Sequence, residues 1–349
     1  MRTFNLKNLI RPNVANMKPY TSARDEYMGT TSEMVFLDAN ENPYNNGINR
    51  YPDPNQKELK NVLAKLKDIS PYQLLLGNGS DEILDLIFRA FCEPGKDNII
   101  TLPPTYGMYA VLADTNNIDN RRVFLTTEFK IDVEKILNTI DGQTKLIFLC
   151  SPNNPTGNLL DIKDIEFILN SFNGLVIIDE AYIDFSLQHS WISKLEEFPN
   201  LVVTQTLSKA YAAAGIRLGI CYASKEIIKT LQKIKPPYNV NLLTQEHALS
   251  CILNQKKIQR HVDAILNERN KLLSALTEIK CVKKAYPTSA NFVLVKMDDA
   301  TTRYNQLLKA GIVVRNRSNQ PLCEDCLRFT IGTPEENNKL IKALKEMKQ

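Results

Sequence analysis

Short apolar runs spaced along the first two thirds of the chain set the limits on its fold. Asn98-Ile-Ile-Thr-Leu102, Leu146 to Cys150, Leu175 to Ile178, Leu201-Val-Val-Thr204 and Leu218 to Tyr222 are rich in branched residues and alternate with stretches of helical spacing. A run that is apolar throughout suits a strand covered on both faces. The pattern therefore predicts an α/β fold, a mostly parallel sheet sandwiched by helices. At 349 residues the chain is long for one core, which predicts a large domain and a smaller one. The prolines of Ile234-Lys-Pro-Pro-Tyr238 interrupt the alternation. Beyond them Ile258, Val262, Ile265, Leu272, Leu276 and Ile279 mark one face of a long amphipathic helix. Strand-like runs follow at Asn291 to Val295, Ile312 to Arg315 and Cys326 to Ile331. The expected organisation is an N-terminal arm over 1–34, a large domain over 35–237 and a smaller C-terminal α/β domain over 238–349.

The chemistry concentrates in Thr206-Leu-Ser-Lys-Ala-Tyr-Ala-Ala-Ala-Gly215-Ile-Arg217-Leu-Gly219. A deprotonated lysine forms an imine with an aldehyde, and burial beside other cations lowers its pKa toward neutrality; Lys209 is the candidate. Ser208 and Arg217 supply a hydroxyl donor and a planar fork for phosphate oxygens. An aldehyde carrying a phosphate would use all three, and pyridoxal phosphate is such a molecule. Upstream, Leu175-Val-Ile-Ile-Asp179 reads as a buried strand ending on a carboxylate. Open α/β sheets bind ligands at the carboxyl ends of their strands, where an anion keeps a pyridine nitrogen protonated. Asp179 suits that role. Tyr182, and Asn154 in the turn Ser151-Pro-Asn-Asn154-Pro-Thr-Gly157, can donate to a phenolate oxygen. Gly77-Asn-Gly79-Ser80-Asp81 reads as a glycine turn opening a helix, whose N-terminal N–H groups and Ser80 hydroxyl bind phosphate. Taken singly, each has a plainer reading: an N-cap for Asp179 or Ser80, an ordinary turn for Asn154, a solvated charge for Lys209. Their company favours the cofactor site.

In order and spacing these segments resemble those of fold type I pyridoxal-phosphate aminotransferases that carry Thr-x-Ser-Lys-x-x-x-x-x-Gly. Leu37-Asp-Ala-Asn-Glu-Asn42-Pro-Tyr44, Asn49-Arg-Tyr51-Pro-Asp-Pro54, Pro103-Pro-Thr-Tyr106-Gly-Met-Tyr109 and Cys326-Leu-Arg328-Phe-Thr-Ile-Gly332 are similar to motifs of the histidinol-phosphate aminotransferase family. The resemblance implies that Lys209 binds pyridoxal 5′-phosphate covalently, that Asp179 partners the pyridinium, and that Tyr182 and Asn154 donate to the phenolate oxygen. It implies that Tyr106 stacks on the ring. Phosphate contacts would come from Gly79, Ser80, Asp81, Ser208 and Arg217, with Tyr51 reaching in from the other subunit of a homodimer. Arg328 and Arg315 would bind the substrate's anionic end, since two guanidiniums suit a dianion; Tyr20 and Asn42 are further candidate substrate contacts. The implied reaction moves the amino group of L-histidinol phosphate to 2-oxoglutarate, giving imidazole acetol phosphate and glutamate, in histidine biosynthesis. An aromatic-amino-acid aminotransferase and a phospho-amino-acid decarboxylase are alternatives on the same scaffold. A cofactor-sensing regulator would need a DNA-binding module, and the resemblance begins too early in the chain to leave room for one.

Charge excludes other classes. The net charge of +4 is small for this length and the basic residues are scattered, so nucleic-acid binding has little support. Seven cysteines is an odd count, and most lie in apolar or helical contexts, which suits reduced thiols. Cys323 and Cys326 form one Cys-x-x-Cys pair without a second, and His189, His247 and His261 show no zinc-ligand spacing with it. No signal-peptide core or membrane-spanning run appears, so a cytoplasmic enzyme is expected.

Overall fold

The computed structural model describes residues 4–21 and 34–347. In chain order the strands are β1 (Leu74–Asn78), β2 (Asn98–Thr101), β3 (Asp119–Arg122), β4 (Thr144–Cys150), β5 (Leu175–Asp179), β6 (Leu201–Thr206) and β7 (Leu218–Ala223). After these come β8 (Val282–Ala285), β9 (Phe292–Met297), β10 (Arg315–Asn316) and β11 (Cys326–Thr330). The helices before residue 200 are α1 (Pro12–Asn16), α2 (Lys57–Lys67), α3 (Ser80–Phe91), α4 (Met108–Thr115), α5 (Val133–Thr139) and α6 (Ile162–Ser171). Those after it are α7 (Lys225–Ile234), α8 (Leu242–Leu253), α9 (Gln255–Leu276), α10 (Ala300–Lys309) and α11 (Pro334–Lys345).

A seven-stranded sheet has the order β1-β7-β6-β5-β4-β2-β3. Its strands are parallel except β7, which runs antiparallel to both β1 and β6. Residues of β4, β5 and β6 are buried almost throughout, and their side chains alternate between two apolar clusters on opposite sheet faces. That two-sided burial is why these strands read as continuous apolar runs. β3 (Asp-Asn-Arg-Arg) lies at the sheet edge and is largely polar, which hid it from a search for apolar runs. β1 lies at the other edge yet is buried through Gly77, and it runs directly into the glycine turn before α3.

The second sheet is four-stranded, in the order β10-β11-β9-β8, and antiparallel. Leu327 and Phe329 of β11 and Val293 and Val295 of β9 face a core shared with α9 and α11. Leu294 and Cys326 face the core of the large sheet instead. One expected strand is corrected: of Ile312 to Arg315 only Arg315 is in a strand, the two-residue β10, which starts three residues later than expected. β8 (Val-Lys-Lys-Ala) was not anticipated, being polar and at an edge. α9 ends at Leu276, so Ile279 packs in the small core from beyond the helix.

The segment before residue 18 is anchored. Leu9 and Val14 are buried, Arg11 pairs with Glu93 at 3.2 Å, and Lys233 Nζ donates to the Ala15 carbonyl. Val240, Ala248 and Ile252, on and just before α8, belong to the large-sheet core. Among the described residues, no helix is long and apolar enough to cross a membrane, and no group of His, Cys, Asp or Glu could hold a metal ion.

Candidate active site

Parallel strands end together, so β4, β5 and β6 bring Cys150, Asp179 and Thr206 to one edge of the sheet. Because β7 is antiparallel, its beginning lies at that same edge, where Gly219 is paired with both Thr206 and Gly77. Residues just before β7, just after β6 and at the start of α3 therefore meet. They enclose a pocket lined by Ser80, Asp81, Tyr106, Cys150, Asn154, Asp179, Ala181, Tyr182, Thr206, Ser208, Lys209, Ala214 and Arg217.

Glycine makes the phosphate-sized end possible. A Cβ on Gly219 would lie 2.3 Å from the Gly79 carbonyl carbon and the Ser80 nitrogen. Gly79 has φ +79°, and a Cβ there would meet Arg217 Nη2 at 2.7 Å. The N-terminus of α3 is thus pressed against β7 with Arg217 across its mouth. Gly79 N–H donates to the Arg217 carbonyl at 2.7 Å, and Arg217 itself takes a left-handed backbone at φ 55°. Asp81 accepts from the Tyr106 hydroxyl at 3.1 Å and lies 3.8 Å from Arg217 Nη2. Thr206 Oγ1 and Ser208 Oγ are 2.9 Å apart.

At the other end Asp179 is fully enclosed. Its Oδ2 accepts from the Tyr109 hydroxyl at 2.7 Å and its Oδ1 from the Ala181 N–H at 3.1 Å. Burial pushes the carboxyl's pKa up, and those two donors pull it back toward ionisation. Lys209 opens onto the pocket with Nζ 5.6 Å from the Tyr182 ring centroid. Burial and then Arg328 lower its pKa, with Asp179 opposing. Asn154 Nδ2 donates to the Tyr182 hydroxyl at 3.4 Å while its Oδ1 accepts from Arg328. Arg328 comes from the small sheet, with its guanidinium carbon 5.0 Å from the Phe292 ring centroid. The cleft between the two sheets is thus where these groups converge.

The aminotransferase class I and II family model matches residues 24–344. The chain belongs to the class I and II aminotransferases. It is 61% identical over 347 residues to a histidinol-phosphate aminotransferase from Christiangramia forsetii, covering 99% of each chain. In structure it is similar to the histidinol-phosphate aminotransferase from Clostridium acetobutylicum, with TM-score 0.79 and 27% identity over 85% of this chain and 90% of that one. It shares its fold with the Sinorhizobium meliloti histidinol-phosphate aminotransferase, solved in complex with pyridoxal-5′-phosphate, at TM-score 0.79 and 24% identity over 85% and 82% of the two chains.

The aminotransferase pocket fits that cofactor. The glycine cradle, which a Cβ would fill, adjoins a helix N-terminus, two hydroxyls and a guanidinium, a donor set for a phosphate. An enclosed carboxylate suits a pyridinium nitrogen, and a lysine of lowered pKa suits an aldehyde. Of the residues singled out from sequence, Ser80, Asp81, Tyr106, Asn154, Asp179, Tyr182, Ser208, Lys209 and Arg217 line this pocket; Gly79 and Arg328 adjoin it. Others lie elsewhere in this chain. Tyr20 is 72% exposed and Tyr51 51%, Asn42 accepts from the Tyr44 N–H at 3.0 Å, and Arg315 is exposed on the rim opposite Arg328. Sequence reading missed Tyr109, whose hydroxyl donates to Asp179, although its three-residue spacing from Tyr106 was available.

Proposed function

We propose that this aminotransferase transfers the amino group of L-histidinol phosphate to 2-oxoglutarate, yielding imidazole acetol phosphate and glutamate, in histidine biosynthesis. The observation that carries this reading is the 61% identity across 99% of both chains to a protein of that name. The arginine of the cleft supports it: Arg328 has no carboxylate partner among the described residues and can take the phosphate of one substrate or the α-carboxylate of the other.

When bound, pyridoxal 5′-phosphate supplies an aldehyde that condenses with amines and a protonated ring that accepts electrons from the substrate carbon. In this reading Lys209 would hold the cofactor covalently, its lowered pKa raising the fraction of free amine, and Lys209 Nζ would be the base that carries the proton from the substrate's amine-bearing carbon to the cofactor's aldehyde carbon, held beside both. Asp179 would keep the ring nitrogen protonated, Tyr182 and Asn154 would donate to the phenolate oxygen, and Tyr106 would cover the ring. The Ser80 and Ser208 hydroxyls, Arg217 and the backbone N–H groups of Ser80 and Asp81 would hold the phosphate, while Gly79, whose own N–H is taken by the Arg217 carbonyl, leaves the room for it. The Asp81 carboxylate is engaged by Tyr106 and Arg217, so its N–H is the contributing group.

We propose further that the enzyme is a homodimer in which Tyr51 of the partner subunit completes the phosphate site. Tyr51 stacks on Tyr238 at 4.5 Å and shares an exposed depression with Ile48 and Leu243, an apolar surface suited to a second copy. The seven unpaired cysteines support a cytoplasmic setting. For domains we propose the arm, large domain and small domain expected from sequence, with the boundary moved from 237/238 to the α8–α9 junction, because Val240 and α8 pack into the large-sheet core.

The test is the visible absorbance of the cofactor-loaded protein titrated with L-histidinol phosphate, phenylalanine and phosphothreonine without an acceptor. Bleaching at low histidinol phosphate, restored by 2-oxoglutarate, is expected. A response mainly to phenylalanine would make it an aromatic aminotransferase, and carbon dioxide release from phosphothreonine a decarboxylase.

A further inference from the structure

Arg317 belongs to none of the roles above, yet its position in the small sheet is defined. In the β10–β11 pairing Arg315 lies opposite Arg328, and the next step of the ladder is the Arg317 N–H donating to the Cys326 carbonyl at 2.8 Å. Residues directly opposite, and residues two apart, share a sheet face. Arg315, Arg317 and Arg328 therefore lie on one face with Cys326, and Cys326 packs toward the large-sheet core. That face looks into the cleft.

The three cations lack compensation. Among the described residues none of them has a carboxylate within ion-pair distance. The Nε atoms of Arg317 and Arg328 are both buried without a hydrogen-bond partner. Burial, then Arg328, then Arg315 push the Arg317 pKa down to about 10, as expected of neighbouring guanidiniums with no anion between them. Arg315 is exposed to solvent, but leaving the enclosed Nε groups of Arg317 and Arg328 unpaired is costly, so this pair is built for a ligand's charge. A carboxylate is satisfied by one bidentate fork. A phosphate monoester brings a second negative charge and a third terminal oxygen, and so uses more than one.

We infer that Arg317 is a specificity-determining residue of the substrate subsite, a third arginine that favours a phosphorylated amine over the same amine without its phosphate. This rests on the substrate reading above and deepens it. Arg317 would contribute to binding of the phosphate and not to proton transfer, so it acts on affinity ahead of turnover.

The experiment is a spectral titration of the cofactor-loaded native enzyme, Arg317→Gln and Arg317→Lys with L-histidinol phosphate and with L-histidinol, alongside thermal denaturation. Arg317→Gln should raise the Kd for histidinol phosphate about 10- to 100-fold, the range for losing a charge-assisted hydrogen bond, while leaving histidinol within about twofold. Arg317→Lys should recover part of the loss, because it keeps the charge without the fork. Equal weakening of both ligands, or of neither, would overturn the inference. If the native enzyme itself does not prefer the phosphorylated amine, the substrate reading fails and this inference with it.

Discussion

Asp179 and Glu180 are adjacent buried acids that alternate strand geometry sends to opposite sides. Asp179 enters the pocket; Glu180 accepts from the Ser190 hydroxyl, the Trp191 N–H and the Gln205 amide. Burial pushes the Glu180 carboxyl from 4.5 up to about 7 despite those donors. Between these values the folded protein holds a proton that the unfolded chain has released, so this group's contribution to stability falls as pH rises through the window. Glu180→Gln cannot titrate, and denaturation midpoints measured on either side of the window should differ less for it than for the native protein. Tyr109 is the second residue-scale case. Tyr109→Phe removes only the hydroxyl that donates to Asp179, so the carboxyl should protonate more readily. We predict roughly a 10-fold loss in kcat, the worth of one hydrogen bond to a charged group. The acid limb of the pH–rate profile should also move to higher pH. An unchanged profile would count against Tyr109 as a positioning residue. Tyr109 escaped notice in the sequence because a tyrosine on an apolar helix face reads as core, and only the fold reveals its hydroxyl's partner.

At the scale of elements, the pocket depends on β7 entering antiparallel between β1 and β6, which presses Gly219 against the start of α3. Gly219→Ala would drive a methyl group into the backbone of Gly79 and Ser80, atoms that cannot rotate away. Overpacking of this kind costs about 1–3 kcal/mol, and here part of the strain falls on the phosphate cradle. The expected outcome is a lower denaturation midpoint together with weaker cofactor binding, measured by dialysis and reloading. Loss of stability with cofactor affinity intact would separate the cradle from the packing. The central strands were legible because burial on both faces leaves only apolar residues. The edge strands β3 and β8 were not, because an edge tolerates charge; β1 is as buried as the central strands, but its three leucines run straight into the glycine turn before α3.

At the scale of the whole molecule, Tyr51 and Lys209 lie in separate depressions of one chain. If Tyr51 of the partner subunit completes each site, Tyr51→Ala and Lys209→Ala damage opposite halves of the shared pair. Mixed dimers of the two variants would then hold one intact site, and with random pairing activity should recover to about a quarter of native, a consequence of two-fold symmetry. No recovery beyond the sum of the separate variants would rule out a shared site. By itself the sequence determined the central strands and the reactive groups, because strand burial, glycine turns and a lysine flanked by hydroxyl and arginine are local patterns. Only the tertiary structure decided which of them meet. It joined Asn154 to Arg328, aimed Tyr109 at Asp179 and left the half-buried Arg317 with an enclosed Nε that has no partner. Such partnerships depend on burial and counter-charge supplied by elements far apart in the chain.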